Sequence, residues 1–473
     1  MFHGRTSELA LLKEKYTSSK SELVVIYGRR RIGKTTLIQN FLQNKKNIFC
    51  YEGIEGEHSS FQILNFSQKL LKKNPEKFTS PRDFLDWDTI FDYLTEKIIP
   101  KNLSEPKFIL FFDEFQWMAA KRSRLTSIIK YYWDNYWKQQ KVMLILCGSI
   151  ASFMVKKVIS AKALYGRIST EILLKGLSPT EAVPIFQKKR SREEILQYLL
   201  IFGGVPKYLE EINLNKSLNQ NINNLCFSIN SVMPQEVEKI FYAQFKESQI
   251  YLRIVKILKN ATLSLQEIAN KLKQKSGGSL REYLKNLENS EIIKSYFSFD
   301  KKINTKLKKY KLIDEYLIFY YQYVEPYLQI IREGAQKNLF ELVTKDNFEV
   351  WSGFAFERFC LKNAFFLAQK MGFSEQVLLF APLFSKEGKK FQIDLLYKRV
   401  DKVITICEIK YYNKKISAAI IKDFEYKKQL LQIPRGYAVE HALISLYGPD
   451  QAFKESGYLH HSLTLADLLN WID

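Results

Sequence analysis

Short apolar runs alternate with longer amphipathic stretches through the first third of the chain. Leu23 to Tyr27, Asn47 to Tyr51, Lys107 to Phe112, Val142 to Cys147 and Ile168 to Leu174 read as strands. Strands alternating with helices predict an α/β unit with a parallel sheet. From about Leu177 to Lys246 the pattern turns helical, broken at Gly203-Gly204-Val205-Pro206 and at Met233-Pro234. Ser248 to Leu312 carries helical periodicity and then alternates. From about Phe348 the pattern predicts helix Trp351 to Phe366 and strands Gln376 to Leu383, Phe391 to Arg399 and Val403 to Tyr411. Helix Ser417 to Leu431 and strand Val439 to Leu446 follow.

No apolar run approaches the ~18 residues of a membrane span. Met1 to Tyr16 carries charges throughout and lacks the apolar core of a secretory signal. A cytoplasmic protein with no membrane partner is expected. The five cysteines, Cys50, Cys147, Cys226, Cys360 and Cys407, are far apart and form no CxxC, so neither a disulfide framework nor a zinc site is indicated. Lys and Arg number 72 against 50 Asp and Glu, a net charge of +22. Such an excess favours a polyanionic partner, nucleic acid before others.

Gly28-Arg29-Arg30-Arg31-Ile32-Gly33-Lys34-Thr35 fits G-x-x-x-x-G-K-[ST], between a strand and a helix that continues through Thr36. Gly28, Ile32, Gly33, Lys34, Thr35 and Thr36 are the candidate ATP contacts. The glycines turn backbone N–H groups toward phosphate, and the helix N-terminus adds partial positive charge. Lys34 would reach the β and γ phosphates, with the Thr35 hydroxyl on Mg²⁺. Asp113 and Glu114 follow the apolar strand Phe108 to Phe112. There Asp113 would hold Mg²⁺ and Glu114 would polarise the attacking water.

These motifs resemble AAA+-related ATPases. Phe2-His3-Gly4-Arg5-x-x-Glu8-Leu9 looks like their adenine-side motif, and Val142 to Cys147 with Gly148-Ser149 looks like their sensor strand. Leu164-Tyr165-Gly166-Arg167 and Gly203-Gly204-Val205-Pro206 look like motifs of the archaeal-type branch of signal-transducing (STAND-like) P-loop ATPases. The resemblance implies a sensor strand between the P-loop and Walker-B strands, followed by a helical lid. It implies that Ser149 senses the γ phosphate and that Arg167 acts as an arginine finger, in its own chain or across a homo-oligomer interface. An ordinary surface arginine is the alternative.

Ser248 to Leu312 reads as a winged helix. Ser264-Leu265-Gln266-Glu267 and Ser279-Leu280-Arg281-Glu282 look like capping boxes starting two helices around the Gly277-Gly278 turn. Ile292 to Phe299 alternates as a strand, and Lys301-Lys302 begins the expected wing tip. Twelve basic and four acidic residues lie between Lys271 and Lys311. Lys273, Lys275, Arg281, Lys285, Lys301 and Lys302 are candidate contacts to DNA phosphates. Packing between domains is the alternative use.

Glu408-Ile409-Lys410 ends an apolar strand that follows the strand carrying Asp394. Three other Glu-x-Lys triplets, at Glu105, Glu387 and Glu425, lack that context. A turn centred near Asp401 places Asp394 opposite Glu408 on one sheet face, and Lys410 shares that face. Two carboxylates and a lysine suit metal-assisted phosphodiester hydrolysis. Asp394 and Glu408 would bind Mg²⁺, and Lys410 would position water or stabilise charge. The pattern resembles the PD-(D/E)XK nuclease fold, although no proline precedes Asp394. The resemblance places Glu357 at the first-helix glutamate, a further metal ligand, and makes Gln429 a loose candidate. A surface salt-bridge cluster is the alternative.

The expected organisation is an AAA+-like P-loop core at 1–176, a helical lid at 177–246 and a winged helix at 247–313. A helical linker at 314–347 and a restriction-endonuclease-like α/β domain at 348–473 complete it. Asp314 to Tyr320 with Glu325-Pro326-Tyr327, and Trp351 to Glu357, are similar to the linking region of predicted archaeal and bacterial ATPases with this domain order. An ATP-gated, Mg²⁺-dependent enzyme acting on DNA is the first expectation. A nucleotide-switched DNA-binding regulator with an inactive nuclease-like domain is the alternative, and an ATPase with a protein partner is a third.

Overall fold

The computed structural model describes residues 2–73, 80–99, 106–119, 123–245, 247–296, 308–334, 337–385 and 391–470. The chain divides into two compact units, Met1–Lys175 and Gly176–Asp473. The division falls one residue before the expected end of the P-loop core.

The first unit runs α1 (Thr6–Thr17), β1 (Glu22–Tyr27), α2 (Lys34–Leu42), β2 (Ile48–Glu52), α3 (Ser59–Lys73), β3 (Phe108–Asp113), β4 (Val142–Gly148) and β5 (Thr170–Leu173), with shorter helices between. Its strands lie in the order β2-β3-β4-β1-β5, all parallel. β4 therefore sits between the strand that feeds the phosphate loop and the strand that ends at Asp113, as expected. Helices cover both faces of the sheet, which is why the central strands β1, β3 and β4 are buried along nearly their whole length, whereas the edge strands β2 and β5 are not. Leu23 and Val25 enter one core with Leu110 and Leu144. Val24 and Ile26 enter the other with Ile109 and Ile145.

The second unit contains α4 (Arg192–Phe202), α5 (Ser248–Leu258), β6 (Leu263–Ser264), α6 (Leu265–Leu272), α7 (Gly278–Asn289), β7 (Ile293–Tyr296) and β8 (Lys309–Leu312). It continues with α8 (Phe348–Lys362), β9 (Val377–Ser385), β10 (Phe391–Arg399), β11 (Val403–Lys410), α9 (Ile421–Leu430), β12 (Ala438–Ser445) and β13 (His461–Leu463). β6, β8 and β7 form a small antiparallel sheet beside α5, α6 and α7. A second sheet is mixed, in the order β13-β12-β11-β10-β9. β9, β10 and β11 pair antiparallel, and β11, β12 and β13 pair parallel.

One hydrophobic core runs through this unit from Leu177 to Leu469. It joins four segments that the sequence treats separately. Glu315 is one link. Gly203 has φ +64°, and a Cβ there would lie 2.5 Å from Glu315 Oε2. The same carboxylate accepts from Lys362 Nζ at 2.7 and 2.8 Å. Phe202 stacks on Tyr316 with ring centroids 6.1 Å apart. The Gly203-Gly204 break is thus a packing seat for the linking region as well as a helix stop.

Several local expectations shift. The Ser264–Glu267 capping box forms at α6. The one expected at Ser279 does not, because α7 starts from Gly277 and Ser279 lies inside its first turn. The helix expected from Trp351 to Phe366 breaks at Asn363, where Ala364–Lys370 begins a new one. The helix expected from Ser417 starts at Ile421, after a 3₁₀ turn at Ala418–Ile420. Lys301 and Lys302 lie outside the described residues. No described helix is long and apolar enough to cross a membrane. The cysteines are free, and all but Cys50 are buried.

Candidate functional site

The phosphate loop joins the end of β1 to the start of α2. A Cβ on Gly28 would collide with the Leu174 carbonyl and lie 2.6 Å from Ile32 Cδ1. Only glycine fits there. Gly33 is the left-handed cap of α2, with φ 84°. Lys34 Nζ folds back over its own loop and donates to the carbonyls of Gly28 at 3.0 Å and Arg29 at 2.9 Å. Burial pulls its pKa below the usual lysine range. The Ile32 side chain is buried in the core, so only its backbone is offered to a ligand. Thr36 is exposed on the first turn of α2.

The Ile32 carbonyl accepts from Arg5 at 2.9 Å, and the same guanidinium nitrogen donates to the Lys175 carbonyl at 2.6 Å. Arg5 is only 3% exposed, and its other end meets Glu8 at 3.6 Å. The Phe2-to-Leu9 motif therefore braces the phosphate loop in this structure.

Thr35 Oγ1 donates to Asp113 Oδ2 at 2.6 Å. Two hard oxygens, one from the first turn of α2 and one from the end of β3, suit a hard divalent cation, which takes oxygen ligands. Glu114 follows in a left-handed conformation, with φ 45° and ψ 42°. Its carboxylate accepts from Ser149 Oγ at 2.6 Å and from Gln116 Nε2. Gln116 Nε2 also donates to Ser149 Oγ at 3.2 Å, while its buried Oε1 has no hydrogen-bond partner among the described residues. Gln116 escapes a motif reading, since its only signal is its place two residues after Glu114. Glu52 is a further acid, paired in register with Asp113 at the end of β2. Partial burial, then Asp113 and Glu114, push its carboxyl above the usual range.

Arg167 is not brought to the phosphate loop by any described contact. Its Nε and Nη2 donate to the two oxygens of Asp134, each at 2.7 Å, and Nη1 donates to the Tyr165 carbonyl at 3.1 Å.

The model of an ATPase domain predominantly from Archaea matches residues 2–212. Protein MJECL04 of Methanocaldococcus jannaschii is 31% identical over 362 residues, 76% of each chain. The chain belongs to the archaeal-type ATPase family. MJ0423 of the same organism, an ATP-binding protein, is 50% identical to this ATPase over 54 residues, 11% of this chain and 92% of that one. The Walker-type ATPase PABY2304 of Pyrococcus abyssi shares the fold at TM-score 0.51 and 19% identity, over 68% of this chain and 96% of that one. The chain is thus an ATP-binding ATPase with a P-loop parallel sheet.

The second unit of the ATPase carries the other candidates. Lys273, Lys275, Arg281 and Lys285 are all exposed on or beside α6 and α7. On the mixed sheet, β10 and β11 pair Leu395 with Cys407 and Leu396 with Ile406. These pairs follow the turn at Asp401, and the described pairing stops at Leu395, one residue short of Asp394. Asp394 Oδ2 accepts from the Ile409 N–H at 3.1 Å, and Oδ1 accepts from Gln392 Nε2 at 3.0 Å. Glu408 is fully buried. Lys410 Nζ lies 3.2 Å from its Oε2, and Lys427 on α9 grips its Oε1. Burial and then Asp394 push the Glu408 carboxyl up, against the pull of the two lysines. Lys410 is raised, since Glu408 and Asp394 overcome the effect of burial.

Lys427 is the residue that sequence reasoning missed. It belongs to the Glu425 triplet, which has no strand context. Helical periodicity nonetheless turns Lys427 inward and leaves Gln429 exposed. Glu357 sits on α8, with its carboxyl pushed up to about 7 by burial and then by Asp394. Beside it, Lys311 falls to about 8 and Arg358 to about 10, both chiefly through burial. Among the described residues no group of three or more His, Cys, Asp or Glu is gathered to hold a metal. Asp394 and Glu408 fit a divalent cation only once Lys427 has withdrawn.

Proposed function

We propose that this ATPase uses its nucleotide cycle to control a Mg²⁺-dependent nuclease acting on DNA. The supporting observation is the gathering of Asp394, which accepts from the Ile409 N–H, beside Glu408 on the neighbouring strand, with Lys410 on the Glu408 carboxylate. On this reading the first unit is the AAA+-like core, and 177–246 is its lid. Residues 247–313 are a winged helix that offers Arg281 and Lys285 to DNA phosphates, 314–347 is a linker, and 348–473 is PD-(D/E)XK-like.

In the nucleotide site, backbone N–H groups from Gly28 to Thr35 cradle the phosphates. Lys34 leaves its loop carbonyls for the β and γ oxygens, and Thr35 with Asp113 would hold Mg²⁺. Glu114 takes the proton of the attacking water, and Ser149 orients the Glu114 carboxylate and reports the γ phosphate. Arg167 acts as a finger only after leaving Asp134. In the nuclease-like site Asp394 and Glu408 would hold the cation; Glu357, on α8, is not gathered with them into a three-carboxylate group among the described residues. A divalent cation held there would supply Lewis-acid polarisation of the phosphodiester and a more acidic bound water. Lys410 stabilises the charge that develops on the phosphate oxygens. Glu315, seated on Gly203 and bonded to Lys362, gives lid and nuclease-like helix a shared contact through which the nucleotide state is felt.

The test is cleavage of linear and circular DNA with Mg²⁺ or Mn²⁺, with and without ATP. Cleavage lost in Asp394→Ala and altered in Lys34→Ala supports the reading. No cleavage by the wild type under any nucleotide overturns it. One observation favours a second reading, a nucleotide-switched DNA-binding regulator without cleavage. Lys427 already neutralises Glu408, as a structural ion-pair cluster would.

A further inference from the structure

Gln116 stands on the short helix Phe115–Met118, directly after the strand-end acids, and is only 2% exposed. Its amide fills the place that a side chain at position 148 would need. A Cβ on Gly148 would lie 2.7 Å from Gln116 Oε1 and 2.5 Å from Met154 Sδ. The glycine before Ser149 thus makes room for this amide at the end of β4. Gln116 Nε2 points the other way, to Glu114 Oε2 and Ser149 Oγ. The amide cannot be turned over, because an oxygen in place of Nε2 would face a carboxylate and a hydroxyl with one proton between them. Gln116 Oε1 is therefore left buried and without a donor among the described residues, which is unfavourable. That cost is offset only by what Nε2 holds.

The three side chains close a ring of three hydrogen bonds that uses every proton they can donate. Gln116 Nε2 gives both of its hydrogens, and Ser149 gives its one. Both donors to the acid meet on Glu114 Oε2, and Glu114 Oε1 accepts no hydrogen bond among the described residues. A hydroxyl has a single proton to give. The nucleotide-site reading asks for it twice, once for Glu114 and once for the γ phosphate, whose oxygens accept. We propose that Gln116 is the positioning residue that holds the Glu114 carboxylate when the Ser149 proton turns to the γ phosphate. The inference rests on the reading of Glu114 as the base and adds a division of labour to it. With Glu114 Oε2 kept by the amide, Glu114 Oε1 takes the proton of water. The water oxygen bonds the γ phosphorus as the bond to the β–γ bridging oxygen breaks. Gln116 acts through Glu114 and not on the nucleotide.

The test is steady-state ATP hydrolysis by the full chain, with ATP and ADP titrations and a thermal melt for each variant. Gln116→Met keeps the length of the side chain and removes both donors. Its kcat is expected to fall about tenfold, the effect of one hydrogen bond to a charged group, with KM and ADP affinity within about twofold. Gln116→Asn keeps an amide one methylene too short to span both partners. It is expected to lose as much, and it is scored if Gln116→Met fails to fold. The double variant Gln116→Met with Ser149→Ala separates this role from a structural one, since residues in contact usually give effects that do not combine independently. If the Ser149 proton is on the phosphate when water reacts, the two losses multiply to about a hundredfold. A double variant that departs from that product by more than about threefold in either direction overturns the proposal, because Ser149 then still shares the hold on Glu114. So does a Gln116→Met loss that appears in KM rather than kcat, or no loss at all while Glu114→Gln is slow. Unchanged hydrolysis in Glu114→Gln removes the reading of the base itself, and this proposal with it.

Discussion

Ser149 Oγ lies 2.6 Å from Glu114 Oε2, so the end of β4 holds the carboxylate that follows β3. Glu114 occupies a left-handed backbone conformation, and its side chain needs external support to keep one orientation. Ser149→Ala removes a hydrogen bond to a charged group. We expect kcat for ATP hydrolysis to fall about tenfold with KM little changed. Glu114→Gln removes the proton acceptor itself, with an expected fall on the order of a hundredfold or more. Steady-state hydrolysis with nucleotide-binding titrations separates the two effects.

Gly203→Ala places a methyl group 2.5 Å from Glu315 Oε2 at φ +64°. The left-handed backbone alone costs about 1–2 kcal/mol for a side chain. Displacing Glu315 from Lys362 adds to that. A loss of about 2 kcal/mol or more in the stability of the second unit is expected in denaturant unfolding, with nucleotide binding by the first unit retained.

Glu357 titrates at about 7 in the folded chain, above its usual 4.5. The native state therefore binds this proton more tightly than the unfolded chain. Stability associated with it is complete below about pH 4.5 and is lost as pH rises toward 7. Glu357→Gln keeps the shape and removes the charge. Its melting temperature should match the wild type at pH 4 and exceed it at pH 8, by the equivalent of about 2 kcal/mol.

Lys427→Met removes one of the two lysines on Glu408. Breaking a buried pair from one side costs about 3–5 kcal/mol. A divalent cation can then replace the missing charge. Mg²⁺ or Ca²⁺ should raise the melting temperature of Lys427→Met more than that of the wild type. The gain should vanish in Lys427→Met with Asp394→Asn. Equal metal response in all three would argue against a cation site.

Arg281 and Lys285 project from α7 into solvent. If they contact DNA phosphates, Arg281→Ala with Lys285→Ala weakens duplex binding. It should also lower the slope of log K against log salt by about 0.9 for each contact. An unchanged slope would assign the positive charge of α7 to solvation.

The parallel sheet was legible because buried strands must be apolar, and Val142 to Cys147 could have served nowhere else. The phosphate loop was legible because glycine, lysine and threonine are needed at fixed offsets. The register of Leu395 against Cys407 followed from one turn, since antiparallel pairing leaves a single alignment for a given turn. What stayed hidden depends on tertiary partners. Lys427 reaches Glu408 from another element, and no local pattern announces that. Asp134 takes Arg167 in the same way. Ser279 looked like a helix cap because its spacing to Glu282 is right, but Gly277 supplied the helix start first. The shared core of the second unit was not visible either, since Glu315 meets Gly203 and Lys362 across more than a hundred and fewer than fifty positions of chain, respectively.

One arginine ties the phosphate loop to the end of the first unit. Its side chain clasps the Ile32 carbonyl of the loop and the carbonyl of Lys175, the last residue of that unit. Two stretches of backbone 143 positions apart thus share a single planar cation, so Arg5→Ala releases both carbonyls at once, and the loop and the chain exit lose their brace together.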